Sequence, residues 1–176
     1  MKKEREIATG QEVEKIISRL AGEVRAKTDL NNLALIGIRR RGVELAVRLQ
    51  NILQKKSVKL PLGILDITLY RDDLSTAAKQ PVVRETQIQF DLEGKDILLV
   101  DDVLFTGRTI RAALSELVDF GRPRSIKLLT LVDRGHRELP IQPDFTGKFI
   151  PAENSQSIEV RLSELDGEDK ILLIEP

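Results

Sequence analysis

Cysteine is absent from the chain, and histidine and tyrosine occur once each. Without cysteine there is neither a structural disulfide nor a thiolate metal site, which suits a reducing cytosol. Aromatic residues make up 3% of the sequence, so few rings are available to stack on nucleic-acid bases. No apolar run approaches the roughly 20 residues needed to cross a bilayer. The opening segment MKKEREIATGQEVEKII carries charges but no apolar h-region, unlike a signal peptide. These absences read as a cytoplasmic protein with no membrane association.

What is present describes an ordinary globular domain. The 176 residues suffice for one domain with a substantial core. Lys+Arg and Asp+Glu balance at 28 each, but unevenly along the chain: residues 1–60 hold 14 basic and 7 acidic side chains, 61–125 hold 8 and 11, and 126–176 hold 6 and 10. A basic N-terminal third can meet a polyanion, and equally can be solvated surface.

Thr9-Gly10-Gln11-Glu12 has the form of a capping box, and Val13, Ile16, Ile17, Leu20 and Val24 follow at helical spacing, predicting a helix to about Lys27. Leu33–Ile38 is a continuous apolar run, as expected of a strand covered on both faces. A helix from about Val43 to Gln54 and a strand over Leu62–Tyr70 come next. RDDLSTAAKQPVV has loop composition, and Arg84–Phe90 alternates weakly, as a hairpin strand would. A strand over Asp96–Val100, a helix from about Thr109 to Phe120 stopped by Gly121 and Pro123, and a strand over Ser125–Val132 complete the pattern. Beyond it, Gly and Pro punctuation leaves only short strands at Ile158–Leu162 and Ile171–Ile174. Strand–helix alternation predicts an α/β fold with a parallel, right-handed sheet and helices on both faces. The broken stretch from about residue 133 to 176 reads as a small lobe at one end of it, within a single domain.

In such a sheet, ligands bind at the carboxyl ends of the strands, and the unusual residues sit at three of those ends. In ILLVDDVLFTGRTIRAAL, a buried strand runs into Asp101 and Asp102 and then a turn that opens a helix. The helix N-terminus offers unpaired amides and partial positive charge. Gly107 allows close backbone approach, while Thr106 and Thr109 add hydroxyls. A carboxylate can accept from both hydroxyls of a cis-diol, or hold Mg²⁺ through its waters. Phosphate donors beside diol acceptors describe a ribose 5-phosphate. Asp-Asp alone would equally fit two capping acids. At the second end, Arg39-Arg40-Arg41-Gly42 offers guanidinium forks for phosphate oxygens, or simply an exposed basic turn. The third is Asp133-Arg134-Gly135-His136-Arg137.

VDDVLFTGRT resembles the phosphoribosyl-pyrophosphate (PRPP) signature of type I phosphoribosyltransferases. The longer VDDVLFTGRTIRAAL, with LDITLYRDDLS and LVDRGHRELPI, resembles the family of pyrimidine-operon attenuation regulators with uracil phosphoribosyltransferase activity, over nearly the whole chain. The resemblance implies the type I phosphoribosyltransferase fold, a central mostly parallel sheet with flanking helices and a small C-terminal hood. It implies that Asp101 and Asp102 hold the ribose hydroxyls and, indirectly, Mg²⁺ carried by PRPP. Val103, Leu104 and Phe105 would complete the PRPP-binding stretch, with Thr106, Gly107, Arg108 and Thr109 on the 5-phosphate. Arg40 and Arg41 would meet the leaving pyrophosphate, in a loop that in this superfamily often has a non-proline cis peptide. Tyr70, Arg71 and Arg84 flank the loop that would close over the reacting centre and exclude water.

Uracil would then lie against Phe105, Asp133, Arg134, His136, Ile158 and Val160. Purine enzymes of this fold typically place an acid just before the Thr-Gly, and a phenyl ring can neither give nor take a proton. Phe105 therefore disfavours purine chemistry, although it also fits simple core packing, as His136 fits a structural role. The products would be UMP and pyrophosphate. The resemblance also implies binding of a pyrimidine-operon leader mRNA, enhanced by UMP or UTP and opposed by PRPP, and a homo-oligomer. Lys15, Arg19, Arg25, Lys27 and Arg111 are the candidates for the RNA-binding face. A purine phosphoribosyltransferase and a non-catalytic RNA-binding regulator are the alternatives.

Overall fold

The computed structural model describes residues 3–54, 58–68 and 85–176. Tyr70, Arg71 and Arg84 lie outside the described residues, as does the whole of the loop between them. Thirteen segments follow in chain order: β1 (Lys3–Ala8), α1 (Gly10–Lys27), β2 (Leu33–Ile38), α2 (Arg41–Leu53), β3 (Leu62–Leu65), β4 (Asp96–Leu104), α3 (Arg108–Leu117), a 3₁₀ turn (Val118–Phe120), β5 (Ser125–Asp133), β6 (Phe145–Phe149), β7 (Ser157–Arg161), α4 (Ser163–Asp166) and β8 (Lys170–Glu175). The capping box forms as expected: the Thr9 amide donates to Glu12 at 2.8 Å and the Glu12 amide donates to Thr9 Oγ1 at 3.4 Å.

Five strands form one parallel sheet in the order β3-β2-β4-β5-β6. Because successive side chains of a strand point to opposite faces, the unbroken apolar run of β2 serves two cores. Leu33 and Leu35 join Val13, Ile17, Leu20 and Val24 of α1 and Leu45 and Leu49 of α2. Ala34, Ile36 and Ile38 join Ile110, Ala113 and Leu117 of α3 on the other face. Burying each of the Val, Leu and Ile side chains contributes about 1.5–3 kcal/mol before entropy is counted, which explains the lack of polar residues in Leu33–Ile38.

The lobe expected from about residue 133 onward is drawn differently. Phe145–Phe149 extends the main sheet as its edge strand, paired with β5. The smaller sheet is antiparallel, in the order β1-β8-β7, and takes its first strand from the N-terminal residues Lys3–Ala8. The weakly alternating stretch before Phe90 makes one isolated antiparallel bridge among the described residues, between Gln87 and Ile64. No helix is long and apolar enough to cross a membrane among the described residues.

Helix α2 holds the lobe through two arginines seven residues apart. Arg41 donates to both oxygens of Asp166, at 3.2 and 2.8 Å. Arg48 reaches Glu164 at 2.6 Å and Asp169 at 2.7 Å. Hydrogen bonds from Arg48 hold the Glu164 and Asp169 carboxyls below their ordinary pKa values and raise that of the guanidinium. Acids whose folded pKa is depressed stabilise the fold fully above their unfolded values, about 4, and lose that contribution as pH falls through the folded ones. Arg48→Met is therefore expected to cost about 1–2 kcal/mol at pH 7, a figure kept low because the Glu164 side chain is 37% exposed. In urea titrations the gap from the parent should narrow as pH falls below about 4; a pH-independent gap would point to packing instead.

Candidate active site

Parallel pairing puts the carboxyl ends of β2, β4 and β5 side by side. Gly37 pairs with Val100, Val100 with Leu129, and Leu104 with Asp133. The three motif-bearing turns predicted from the sequence therefore emerge at one edge of the sheet.

The first follows β2. The Arg39–Arg40 peptide is cis, as the resemblance implies. The Arg39 amide donates to the Leu65 carbonyl at 2.9 Å, while its Nε stands 3.8 Å from Asp66 Oδ2, too far for a hydrogen bond. Behind Asp66 lies Thr86, whose hydroxyl accepts from the Asp66 amide at 3.0 Å and also bonds Glu116 of α3. Burial pushes the Glu116 carboxyl up, with Asp66 nearby adding to the effect. Arg40 is exposed, and Arg41 is engaged by Asp166. Burial raises the pKa of Asp166, but hydrogen bonds from Arg41 and the Leu162 amide outweigh this and hold it below the ordinary range. Gly42 seats the start of α2 against β4, where a Cβ would lie 2.4 Å from the Val100 carbonyl oxygen.

The second turn follows β4, which continues through both acids to Leu104 rather than stopping at Val100. Asp101 is 6% exposed and Asp102 half-buried. Asp101 Oδ1 accepts from the Asp102 amide at 3.0 Å, and Asp102 Oδ1 from the Val103 amide at 2.9 Å. Among the described residues no ion pair engages Asp102. Val103 packs into the α1–α2 core and Leu104 into the α3 core. Gly107, at φ +92°, is the N-cap of α3, and no described side chain caps the helix there. Thr106 Oγ1 accepts from the Arg108 amide at 3.3 Å, and Thr109 lies half-buried in the first turn. Gly107 thus opens α3 with a Thr hydroxyl on either side of it in sequence, at the end of a helix that carries partial positive charge.

The third turn follows β5. Asp133 is committed: Oδ1 accepts from the Gly135 amide at 2.9 Å and Oδ2 from Arg137 at 2.6 Å. It serves as structure rather than as a proton donor or acceptor. The Arg134 guanidinium lies 3.8 Å from the centroid of the Phe105 ring and donates to the Glu153 carbonyl at 3.1 Å. Burial pushes its pKa down. His136 sits edge-on to Phe105, ring centroids 6.4 Å apart. Ile158 and Val160 of β7 lie in the same apolar cluster as Val103 of β4, so their side chains belong to the core.

Sequence reading missed Asp66, Glu116 and Asp166, which are partners distant in the chain. It also left Arg137 unassigned, although the four-residue spacing from Asp133 was a visible pairing signal. The basic residues do not share one face. Arg19 donates to the Thr146 and Gly147 carbonyls of β6, and the Lys27 ammonium lies 5.7 Å from the Phe145 ring centroid. Lys15 is exposed on α1, Arg25 turns to the Ile52 carbonyl of α2, and Arg111 stands on α3, across the sheet. Lys127 and Lys148, not anticipated, join the α1–β6 side. A cavity of about 210 Å³, lined by Lys27, Asp96, Arg124 and Lys127 among others, opens at the opposite, amino edge of the sheet.

The family model of the phosphoribosyl transferase domain matches residues 4–164. The bifunctional protein PyrR of Deinococcus radiodurans is 49% identical over 97% of this chain and 94% of its own. That of Thermus thermophilus is 51% identical over 97% and 95%. The chain belongs to the PyrR family of phosphoribosyltransferases. A hypoxanthine phosphoribosyltransferase from Staphylococcus aureus superposes with a TM-score of 0.73 at 20% identity, covering 98% of this chain and 93% of that one. At that identity it establishes the type I phosphoribosyltransferase fold shared with the PyrR family, and no more.

Because Gly42 has no room for a methyl group, Gly42→Ala is expected to lower the unfolding free energy by about 1–3 kcal/mol. An unchanged urea midpoint would show that α2 shifts off β4 without penalty.

Proposed function

We propose that the protein transfers the phosphoribosyl group of PRPP to N1 of uracil, releasing pyrophosphate and forming UMP. The observation that carries this reading is the pairing, on one strand end, of Asp102, which no ion pair engages among the described residues, with a helix start opened by Gly107: in this reading Asp102 takes the diol and the amides of α3 the phosphate. Asp101 supports the diol from a more buried position. The curated relatives, named bifunctional protein PyrR, support the assignment to this branch.

As the bond to pyrophosphate lengthens, ribose C1 becomes oxocarbenium-like and negative charge builds on the leaving group. Arg40, exposed at the N-cap of α2, meets that charge. Arg41 reaches it only by exchanging the Asp166 carboxylate for a phosphate. Most of the acceleration comes from positioning and electrostatic stabilisation, with no covalent intermediate. Mg²⁺ arrives as part of the substrate, Mg·PRPP. Among the described residues no group of three or more acidic or imidazole side chains could cage an ion by itself, so Asp101 and Asp102 suit an ion whose other ligands are substrate oxygens and water. Phe105, stacked on Arg134, supplies an apolar wall for the base and no proton, which favours uracil over a purine.

Purified protein with Mg·PRPP is expected to convert labelled uracil to UMP and to leave hypoxanthine, guanine and xanthine largely unused. Asp102→Asn should lower kcat/KM about 10²-fold or more while the unfolding free energy from urea titration stays within about 0.5 kcal/mol of the parent. Full turnover by that variant would end the site assignment.

A second activity is supported by the basic strip where α1 meets β6. Arg19 and Lys27 of α1 contact β6, Lys127 of β5 reaches the Lys27 carbonyl at the end of α1, and Lys148 of β6 reaches the Ile7 carbonyl just before its start, so the strip runs along the helix. We infer that this strip binds a leader-transcript hairpin, with UMP or UTP favouring and PRPP opposing the complex. Retardation of a pyrimidine-operon leader hairpin in the presence of UMP is expected to fall tenfold or more between roughly 50 and 200 mM salt, and Lys27→Ala to weaken it further. Absence of a shift at low salt would remove this role and leave the enzyme standing.

A further inference from the structure

The turn that opens α3 is held, residue by residue, by the segment that follows β5. The Arg134 amide donates to the Leu104 carbonyl at 3.0 Å. Phe105 has its ring under the Arg134 guanidinium and its carbonyl 2.8 Å from Arg137 NH1. The Thr106 carbonyl accepts from the amides of Glu138 at 2.9 Å and Leu139 at 3.2 Å. Gly107 packs against Leu139 and Ile141, and Arg108 Nε meets Glu138 at 2.7 Å. Every residue from Leu104 to Arg108 therefore has a partner within residues 134–141.

Arg137 is the hub of this bracket. Its Nε donates to the Ile141 carbonyl at 2.8 Å, NH1 to the Phe105 carbonyl at 2.8 Å, and NH2 to Asp133 Oδ2 at 2.6 Å. Its side chain is 16% exposed. A guanidinium is a rigid planar fork, so three acceptors bound to it cannot move independently. The fork ties the Asp133 carboxylate at the end of β5 to the first residue of the phosphate turn, which it grips by the Phe105 carbonyl, a group whose position sets where the Thr106 amide points.

We propose that Arg137 is a positioning residue for phosphate binding: through the Phe105 carbonyl it holds the 105–108 turn in the shape that lets the start of α3 take the ribose 5-phosphate. Arg137 itself touches no substrate. The inference rests on the assignment of that turn to the phosphate, made under the proposed function.

The test separates phosphate affinity from base and sugar affinity. Dissociation constants of UMP and uridine are measured by calorimetry for the parent protein and for Arg137→Gln. The parent should bind UMP far more tightly than uridine, and the ratio reads the contribution of the phosphate. In Arg137→Gln that ratio should fall about tenfold or more, the loss expected when hydrogen bonds from a charged group go, with KM for PRPP rising in step and uridine affinity changing less than about twofold. A general structural role would weaken both ligands alike; that outcome, or an unchanged ratio, overturns the inference. If Arg137→Gln does not fold, because Asp133 is left buried and unpaired, Arg137→Lys keeps a cation beside Asp133 without the fork and is judged by the same ratio. Should the parent show no preference for UMP over uridine, it is the phosphate assignment that fails, and the inference with it.

Discussion

Parallel pairing of β2, β4 and β5 is the constraint from which the site follows. Hydrogen bonding in register forces the three strands to end at the same edge, so turns separated by about a hundred residues of chain lie only two strand spacings, roughly 10 Å, apart. The pairing is possible because both faces of the sheet are covered, α1 and α2 on one side and α3 on the other, which demands apolar residues along the whole of each central strand. The polar chemistry is thereby expelled to the strand ends. Gly42 shows how tightly the constraint is drawn, since the helix that begins there touches the β4 backbone just before the acidic pair.

Around this edge, arginine serves mainly as connector. Arg41, Arg48 and Arg137 are bound to carboxylates of the fold, and Arg39 lies within ion-pair range of Asp66. A charge removed from water must find such a partner, and the carboxylates here stand outside the segments that carry the arginines, so the same pairs that satisfy the charges also tie those segments together. A basic motif near a phosphate site therefore overstates how many cations are available to the ligand. In the loop after β2, the middle arginine of three is the exposed one.

Legibility followed the range of the signal. The helix cap at Thr9, the apolar run of β2 and the sequence around Asp101, Asp102 and Gly107 are local patterns, and the elements formed where those patterns stood. Strand β1 was invisible because Lys3, Glu4, Arg5 and Glu6 are exposed on it, and its hydrogen-bonding partner lies at the far end of the chain. Strand β6 was hidden by Gly147, read as punctuation within a broken stretch. The partner of Arg41 is invisible for the same reason, since Asp166 stands 125 residues away, whereas Asp133 has its partner Arg137 four residues on, a spacing that local pattern does show. Phe105 was legible in what it lacks, a proton, but not in what it meets, the face of Arg134.

The small sheet places Lys3 opposite Glu175. During synthesis, β1 cannot pair until β8 has been made, after β2, β4 and β5 are already in the nascent chain. The lobe against which Arg41 and Arg48 close thus cannot be completed before β8 exists, and a nascent chain halted before residue 170 would carry the turns after β2, β4 and β5 without the small sheet beside them.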